Sequence, residues 1–338
     1  MSEQALQLMR NRVDNYIETV LTIIAFMNLY LYNKNKKENR KNVNMFQGRR
    51  MIREIDEHDL TPDILIQIDE NFGVIAEVKI SLPLNEERWI NTFKQLKSYD
   101  TELQHWFTSD EKISKHEIAF LVGTAKSVRV VEYFNQNLAA ELKTYSRNFY
   151  IIEFDRRDRS QHFIRMRTML GEPSDFFNIQ EELKYGVEMP LTRLLDRYEK
   201  TMLYDAKPPT AYLLFIIHHF FLSNRASDLP EFAGVRQNKK IQIETSVHEI
   251  STYLNENYSF KKLNSDNTDY QPYIPPKSWI FDAIDAFVAL RLAKWTNRSD
   301  GLCEISYKRG FIKERFEELC IEHGIDIDSS ENQTKLNL

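Results

Sequence analysis

From Ala5 to Tyr32 apolar residues dominate, with Leu6, Met9, Val13 and Ile17 on one helical stripe and no Gly or Pro between them, which predicts a long helix. Further along, two short apolar runs, Ile64 to Ile68 and Val74 to Ile80, flank the turn-forming stretch Asp69-Glu70-Asn71-Phe72-Gly73. They predict a β-hairpin that opens after Thr61-Pro62-Asp63. Residues Asn85 to Phe107 predict a helix, with Glu86 and Glu87 placed to favour its positive N-terminal end. Ile118 to Val122 predicts a strand, Ser127 to Thr144 a helix, and Phe149 to Phe154 and His162 to Met169 two more strands. Residues 1–170 thus read α-β-β-α-β-α-β, the pattern of a mixed-sheet α/β domain flanked by helices.

Punctuation by Pro173, Pro190, Pro208 and Pro209 marks a connector over 171–209, with a helix from Leu191 to Leu203 inside it. Residues 210–338 change character and become mostly helical. An apolar helix, Thr210 to Leu222, precedes a short strand at Ile241 to Glu244 and a helix at Val247 to Tyr258. Pro275-Pro276 opens another helix, Lys277 to Leu290. A hairpin follows, Ala293 to Thr296 and Leu302 to Tyr307 around the polar tip Asn297-Arg298-Ser299-Asp300-Gly301, and a helix from Phe311 to His323 stops at Gly324.

The 338 residues allow about two domains. With 42% hydrophobic and 28% charged residues the chain is an ordinary globular sequence rather than a disordered one. Net charge is −5, so no global basic field holds a nucleic acid, and such a partner would need local patches. Only nine glycines occur and none are clustered, which excludes a Walker A loop, a dinucleotide fingerprint and a G-x-S-x-G elbow in their usual forms. Two cysteines, Cys303 and Cys320, exclude a cysteine-rich zinc site and a disulfide framework. The polar start, Met1 to Arg12, does not read as a signal peptide. Neither Val20 to Tyr32 nor Thr210 to Leu222 reaches the ~20 residues of a membrane span. A cytoplasmic protein without a membrane partner is the expectation.

The chemistry concentrates in the hairpin. Side chains alternate along a strand, so Glu77 and Lys79 point to one face and Ala76, Val78 and Ile80 to the other. Charges on so apolar a strand are expensive to bury unless paired or bound to a metal. Asp63, at the start of the other strand, folds back opposite them. Two converging carboxylates repel, and a divalent cation relieves the conflict. Mg²⁺ suits one or two carboxylates completed by waters and phosphate oxygens. With Lys79 placed to position an attacking water, the set fits hydrolysis of a phosphodiester. A salt-bridged hairpin would use the same residues. His218-His219 point 100° apart on a helix and His248-Glu249 lacks a second histidine, so neither reads as a metal motif.

Pro62-Asp63 followed by Glu77-Val78-Lys79 resembles the PD-(D/E)XK, or restriction-endonuclease-like, nuclease superfamily. Gln95-Leu96-Lys97-Ser98-Tyr99 is similar to the Q-x-x-x-Y element of its RecB-like branch, and the likeness covers a little under half of the chain. The resemblance implies a core of order α-β-β-β-α-β. It also implies a Mg²⁺ site, with Mn²⁺ as a substitute, held by Asp63, Glu77 and the Val78 carbonyl. Lys79 would be the catalytic lysine, and Gln95 and Tyr99 would orient Lys79 or the phosphate. An acidic residue from the first helix often joins the metal in this family, and Glu18 is its counterpart here.

The last part resembles a winged-helix domain. That implies a DNA-reading helix at Lys277 to Arg291, assisted by Lys294 and Arg298 from the wing. Lys41, Arg49 and Arg50, in the basic stretch before the hairpin, are further candidates for phosphate contact. The expected activity is that of a metal-dependent DNA endonuclease in restriction, anti-phage defence, repair or transposition, with RNA not excluded as substrate. A double-strand cut from one metal site favours a homodimer. A nuclease subunit that acts only with a partner, and a non-catalytic winged-helix regulator, remain open.

Overall fold

The structure, a computed structural model, describes residues 3–32, 44–47, 51–56, 59–69, 71–80, 82, 85–104, 106, 113, 115–156, 163–174, 179–190, 207–228, 240–258 and 276–325. Its contacts divide the chain into two units. One joins Met1–Ile17, Ala206–Ser259 and Tyr273–Asn337; the other joins Glu18–Asp205 and Phe260–Pro272. Residues 1–17, which the sequence reading grouped with the first domain, thus belong by contact to the unit containing the C-terminal elements.

The long helix α1 (Glu3–Tyr32) contributes to both units. In the larger unit it is followed by the strands β1 (Asn44–Gln47), β2 (Met51–Arg53), β3 (Asp59–Leu60), β4 (Ile64–Gln67) and β5 (Phe72–Lys79). A short 3₁₀ turn, Glu86–Arg88, leads into α2 (Trp89–Ser98). Then come β6 (Leu103–Gln104), β7 (Lys115–Gly123), α3 (Thr124–Gln136), α4 (Ala140–Lys143), β8 (Asn148–Asp155), β9 (Phe163–Leu170), α5 (Ile179–Tyr185) and β10 (Val187–Pro190). The protein is therefore α/β, with a seven-stranded mixed sheet in the order β1-β4-β5-β7-β8-β9-β10. The β5-β7-β8 centre is parallel and the flanking pairs are antiparallel. Ile118 to Val122 of β7 are fully buried, as expected for a parallel strand covered on both faces.

One face of the sheet packs on α2 and α3. Ile75, Ile118, Phe120, Val122 and Ile151 join Trp89, Phe93, Leu96, Val130 and Phe134 in one apolar core. The other face meets the second half of α1, where the Tyr30 hydroxyl lies 3.3 Å from that of Tyr150. Alternation puts Glu77 and Lys79 on the face of Ile75, under α2.

Several elements differ from the sequence expectation. The helix expected to run to Phe107 stops at Ser98. The next turn is anchored elsewhere, because Asp100 accepts hydrogen bonds from the backbone N–H groups of Ser146 and Arg147 and from Lys97. The helix expected over Ser127 to Thr144 breaks after Gln136, where the N–H groups of Asn137 and Leu138 both reach the Tyr133 carbonyl. The short strands β1, β2, β3, β6 and β10 carry little intrinsic signal and exist through pairing with distant partners. Val187–Pro190 lies within the expected helical connector yet forms the sheet's last strand, where Pro190 is tolerated because an edge needs fewer N–H donors. The expected helix at Leu191 to Leu203 lies outside the described residues.

Gly73 lets β5 pass close to a fully buried indole. A Cβ there would meet the Trp106 ring, with Cη2 at 2.8 Å. Gly73→Ala is expected to lower stability by about 1–3 kcal/mol, the range for overpacking a filled core. The check is a lower urea midpoint at constant m-value. An unchanged midpoint would mean that Trp106 yields without cost.

The smaller unit continues from the first half of α1 with α6 (Thr210–Ile216), a π-helical turn at Ile217–Leu222, α7 (Ser223–Ser227), β11 (Lys240–Ser246), α8 (Val247–Tyr258), α9 (Lys277–Ala289), β12 (Ala293–Asn297), β13 (Leu302–Lys308) and α10 (Lys313–Glu322). Its antiparallel sheet has the order β11-β13-β12. The hairpin tip forms as its sequence suggests. Asn297 and Asp300 bond to each other, and Gly301 takes φ of 68°. His218 is buried among the rings of Tyr307, Phe311 and Phe316, and Cys303 and Cys320 are buried thiols. Among the described residues no helix is long and apolar enough to cross a membrane.

Candidate active site

The site is built where β5 outruns its antiparallel neighbour. β4 begins at Ile64, which pairs with Ala76, so Val78 has no β4 residue opposite it for a ladder bond. Asp63 fills that place, its Oδ2 accepting the Val78 N–H at 2.7 Å. In an extended strand the N–H and C=O of one residue point to the same neighbour, so the Val78 carbonyl also faces the Asp63 side. Pro62, buried just ahead of Asp63, fixes the entry of the chain into β4.

Glu77 sits on the same strand with only 1% of its surface exposed. Its Oε1 accepts hydrogen bonds from Gln95 Nε2 at 2.9 Å and from the Tyr99 hydroxyl. Its Oε2 lies 3.4 Å from Lys79 Nζ. Burial, reinforced by the Asp63 charge, pushes the Glu77 carboxyl up to about 8, while Lys79 and the Tyr99 hydrogen bond act in the opposite sense. Burial also raises the Tyr99 phenol well above its ordinary range, with the Glu77 charge adding to it. Tyr99 is therefore a fixed donor to Glu77 at neutral pH.

Asp63, Glu77, Lys79, Gln95 and Tyr99 are thus brought together. The structure corrects one expected role: Gln95 and Tyr99 reach Glu77, not Lys79. Their i, i+4 spacing places them on one face, with Gln95 Nε2 also 3.3 Å from the Tyr99 hydroxyl. Tyr99 lies one residue past α2, as its C-cap, and its N–H still bonds back to Leu96 and Lys97. Its carbonyl accepts from His116 Nε2 at 2.7 Å.

His116 is a member of the site's surroundings that the sequence reading missed. It lies on β7, fully within the core, and its ring packs against Trp106 at 5.4 Å. The available signal was the adjacent polar pair His116-Glu117 on an otherwise apolar strand, since buried polar groups require partners. Glu117 has its own, accepting from Asn148 Nδ2 at 2.8 Å and from the Ser174 N–H at 2.9 Å.

Glu18, expected as a further metal ligand, is not brought to this cluster. Its carboxylate pairs with Arg156 at 3.7 Å, and the part of α1 within the larger unit covers the sheet face opposite to Glu77. Among the described residues no third acidic, imidazole or thiol side chain joins Asp63 and Glu77. The donor set that remains, two carboxylates and a backbone carbonyl, is the hard-oxygen set that Mg²⁺ accepts when waters and a phosphate complete its shell. With Glu77 ionised, the two carboxylates would carry more negative charge than the single Lys79 offsets, so a bound divalent cation would favour that ionised form.

Of the expected DNA contacts, Lys41, Arg49 and Arg50 lie outside the described residues. Lys277 is exposed at the first turn of α9. Arg291 follows that helix in the left-handed conformation, φ 56°, while the Leu292 N–H returns to Phe287, a helix-terminating arrangement. Lys294 pairs with Glu304 across the β12–β13 ladder at 2.8 Å. Arg298 bonds to Asp285 at 2.6 Å and lies over the Trp295 ring. Both cations remain largely exposed, at 67% and 63%.

No protein-family model matches this chain, and neither the curated proteins nor the solved structures include a significant match to it.

Proposed function

We propose that this protein is a Mg²⁺-dependent nuclease that hydrolyses phosphodiester bonds of DNA at the Asp63–Glu77–Lys79 site. The observation that carries this reading is the buried Glu77 carboxylate. It is set beside a second carboxylate and an ammonium and is held from above by Gln95 and Tyr99. A purely structural ion pair needs neither the second carboxylate nor two dedicated donors. Asp63, Glu77 and the Val78 carbonyl would hold Mg²⁺. When bound, the ion supplies charge neutralisation on the phosphate oxygens and a lowered pKa for water. Lys79, with 23% of its side chain exposed, is open to solvent where Glu77 is not. It orients the attacking water and offsets the charge gathering on the phosphate. Gln95 and Tyr99 keep Glu77 from rotating away.

The smaller unit supports DNA as the partner. The order helix, strand, helix, helix, strand, strand, with the edge strands β11 and β12 on either side of β13, favours a winged-helix reading. In it α9 and the β12–β13 wing offer Lys277, Lys294 and Arg298. The two wing cations are already paired, so their phosphate contacts would exchange one ion pair for another.

The test is incubation of the purified chain with supercoiled plasmid, a linear duplex and an RNA of matched length, in Mg²⁺, Mn²⁺ or EDTA. Metal-dependent nicking or linearisation of DNA that EDTA abolishes is the expected result. Cleavage of RNA alone would move the substrate class. A folded protein that cuts nothing in either metal would overturn the reading.

A further inference from the structure

We infer that His116 is a positioning residue of this site, fixing through the Tyr99 carbonyl the point at which the Tyr99 phenol meets Glu77; this rests on the function proposed above. The last carbonyls of a helix have no intrahelical donor. Tyr99 is the C-cap of α2: the N–H groups of Tyr99 and Asp100 still bond back to Leu96 and Lys97, but the Tyr99 carbonyl has no donor in the helical ladder. His116 Nε2 supplies the donor at 2.7 Å. Because a carbonyl only accepts, Nε2 carries the proton, and burial together with the Arg147 charge keeps the ring neutral with its pKa pushed down to about 3. The tautomer is thereby single and the hydrogen bond has one sense.

The ring itself has little freedom. It packs against Trp106, whose Nε1 donates to the Leu103 carbonyl at 3.1 Å, and Gly73, the register partner of His116 on β5, meets the same indole. Downstream of Tyr99, Asp100 is tied to Ser146 and Arg147. Tyr99 is therefore held by His116 from β7 and, through Asp100, by Ser146 and Arg147 from the segment before β8. The phenol it carries is one of two donors to the Glu77 oxygen that faces α2. Releasing the peptide would let the phenol move by a fraction of an ångström, and displacements of about 1 Å at a reacting centre reduce rates by up to about 10²-fold.

The experiment compares His116→Leu, which removes the donor at similar bulk, with His116→Gln, whose amide N–H reaches to about the same point. Both are made in the wild-type and in a Tyr99→Phe background. His116→Leu is expected to lower kcat about tenfold at nearly constant KM, and His116→Gln to restore most of it. In the Tyr99→Phe background His116→Leu should cost less than twofold more, because the group it positions is gone. Full activity in a folded His116→Leu protein would overturn the inference, as would an equal loss in both backgrounds. If His116→Leu does not fold, His116→Asn, polar but too short to reach the carbonyl, replaces it with the same expectation. 3-Fluorotyrosine at position 99 gives a readout independent of catalysis: its ¹⁹F resonance should move in His116→Leu and stay in His116→Gln. A wild type inactive with Mg²⁺ and Mn²⁺ overturns the nuclease reading, while an unmoved resonance overturns the role of His116.

Discussion

Glu77→Gln is expected to abolish cleavage while making the protein more stable above neutral pH. The amide occupies nearly the same volume and still accepts the hydrogen bonds from Gln95 and Tyr99, so the packing under α2 survives. What disappears is the charge, which the fold holds at a cost, as its raised pKa records. Cation affinity falls with it, and cleavage should drop by about 10³-fold or more, the scale of losing a principal electrostatic stabiliser. Lys79→Met provides the contrast. It removes the ammonium facing Glu77 Oε2 but leaves both carboxylates, so cation binding should persist while cleavage falls by about 10²–10⁴-fold. If the trio were only a structural ion pair, Glu77→Gln would change stability in the same sense with no cleavage to lose, and Lys79→Met would act on stability alone. Measuring melting temperature and cleavage on the same two variants separates the cases, since stability and activity move in opposite directions only where the burial of Glu77 serves a reaction.

The parts of this site that were legible in the sequence are those set by local geometry. Alternation along β5 places Glu77 with Lys79, and helical spacing places Gln95 with Tyr99. Thr61-Pro62-Asp63 and Asn71-Phe72-Gly73 delimit the hairpin, and Asp69 accepts the Asn71 N–H within its turn. What was not legible depends on partners remote in sequence. Nothing near Ser98 announces the end of α2, because the anchor of Asp100 is Ser146 and Arg147. The pair His116-Glu117 marks polar positions on an apolar strand, but the partner of His116 is a backbone carbonyl, which leaves no trace in a side-chain pattern. The phase of α1 shows that Glu18 lies among apolar residues but not which face of the sheet that helix will cover. The strands β1, β3, β6 and β10 have two to four residues each, too short for periodicity to show, and only their pairing defines them.

Stability of the larger unit without metal is expected to be flat between about pH 4.5 and pH 6.5 and to fall on both sides, with the alkaline limb removed by Mg²⁺. Two buried groups of opposite sign produce this shape. Glu77, raised to about 8, keeps its proton in the fold while the unfolded chain loses it near pH 4.5, so its contribution is complete below that pH and is lost as pH rises through 8. His116, lowered to about 3, stays neutral in the fold while the unfolded chain takes a proton below pH 6.5, so its contribution is present above that pH and is lost as pH falls toward 3. From 4.5 to 6.5 the two slopes cancel. Outside that window one acts alone, with a limiting slope of about 1.4 kcal/mol per pH unit. Asp100, its carboxyl lowered by Lys97, Ser146 and Arg147 against the opposing effect of burial, steepens the acid limb. Urea melts followed by the fluorescence of Trp89 and Trp106, in a chain whose Trp279 and Trp295 are replaced by Phe, would read this unit alone. A cation held by Asp63 and Glu77 favours the ionised carboxylate and binds only the fold. Millimolar Mg²⁺ should therefore flatten the fall above pH 6.5 and leave the acid side unchanged. Glu77→Gln should flatten the same limb without any metal. An alkaline limb that persists in Glu77→Gln would assign it to another group, and one that ignores Mg²⁺ would separate the burial of Glu77 from cation binding.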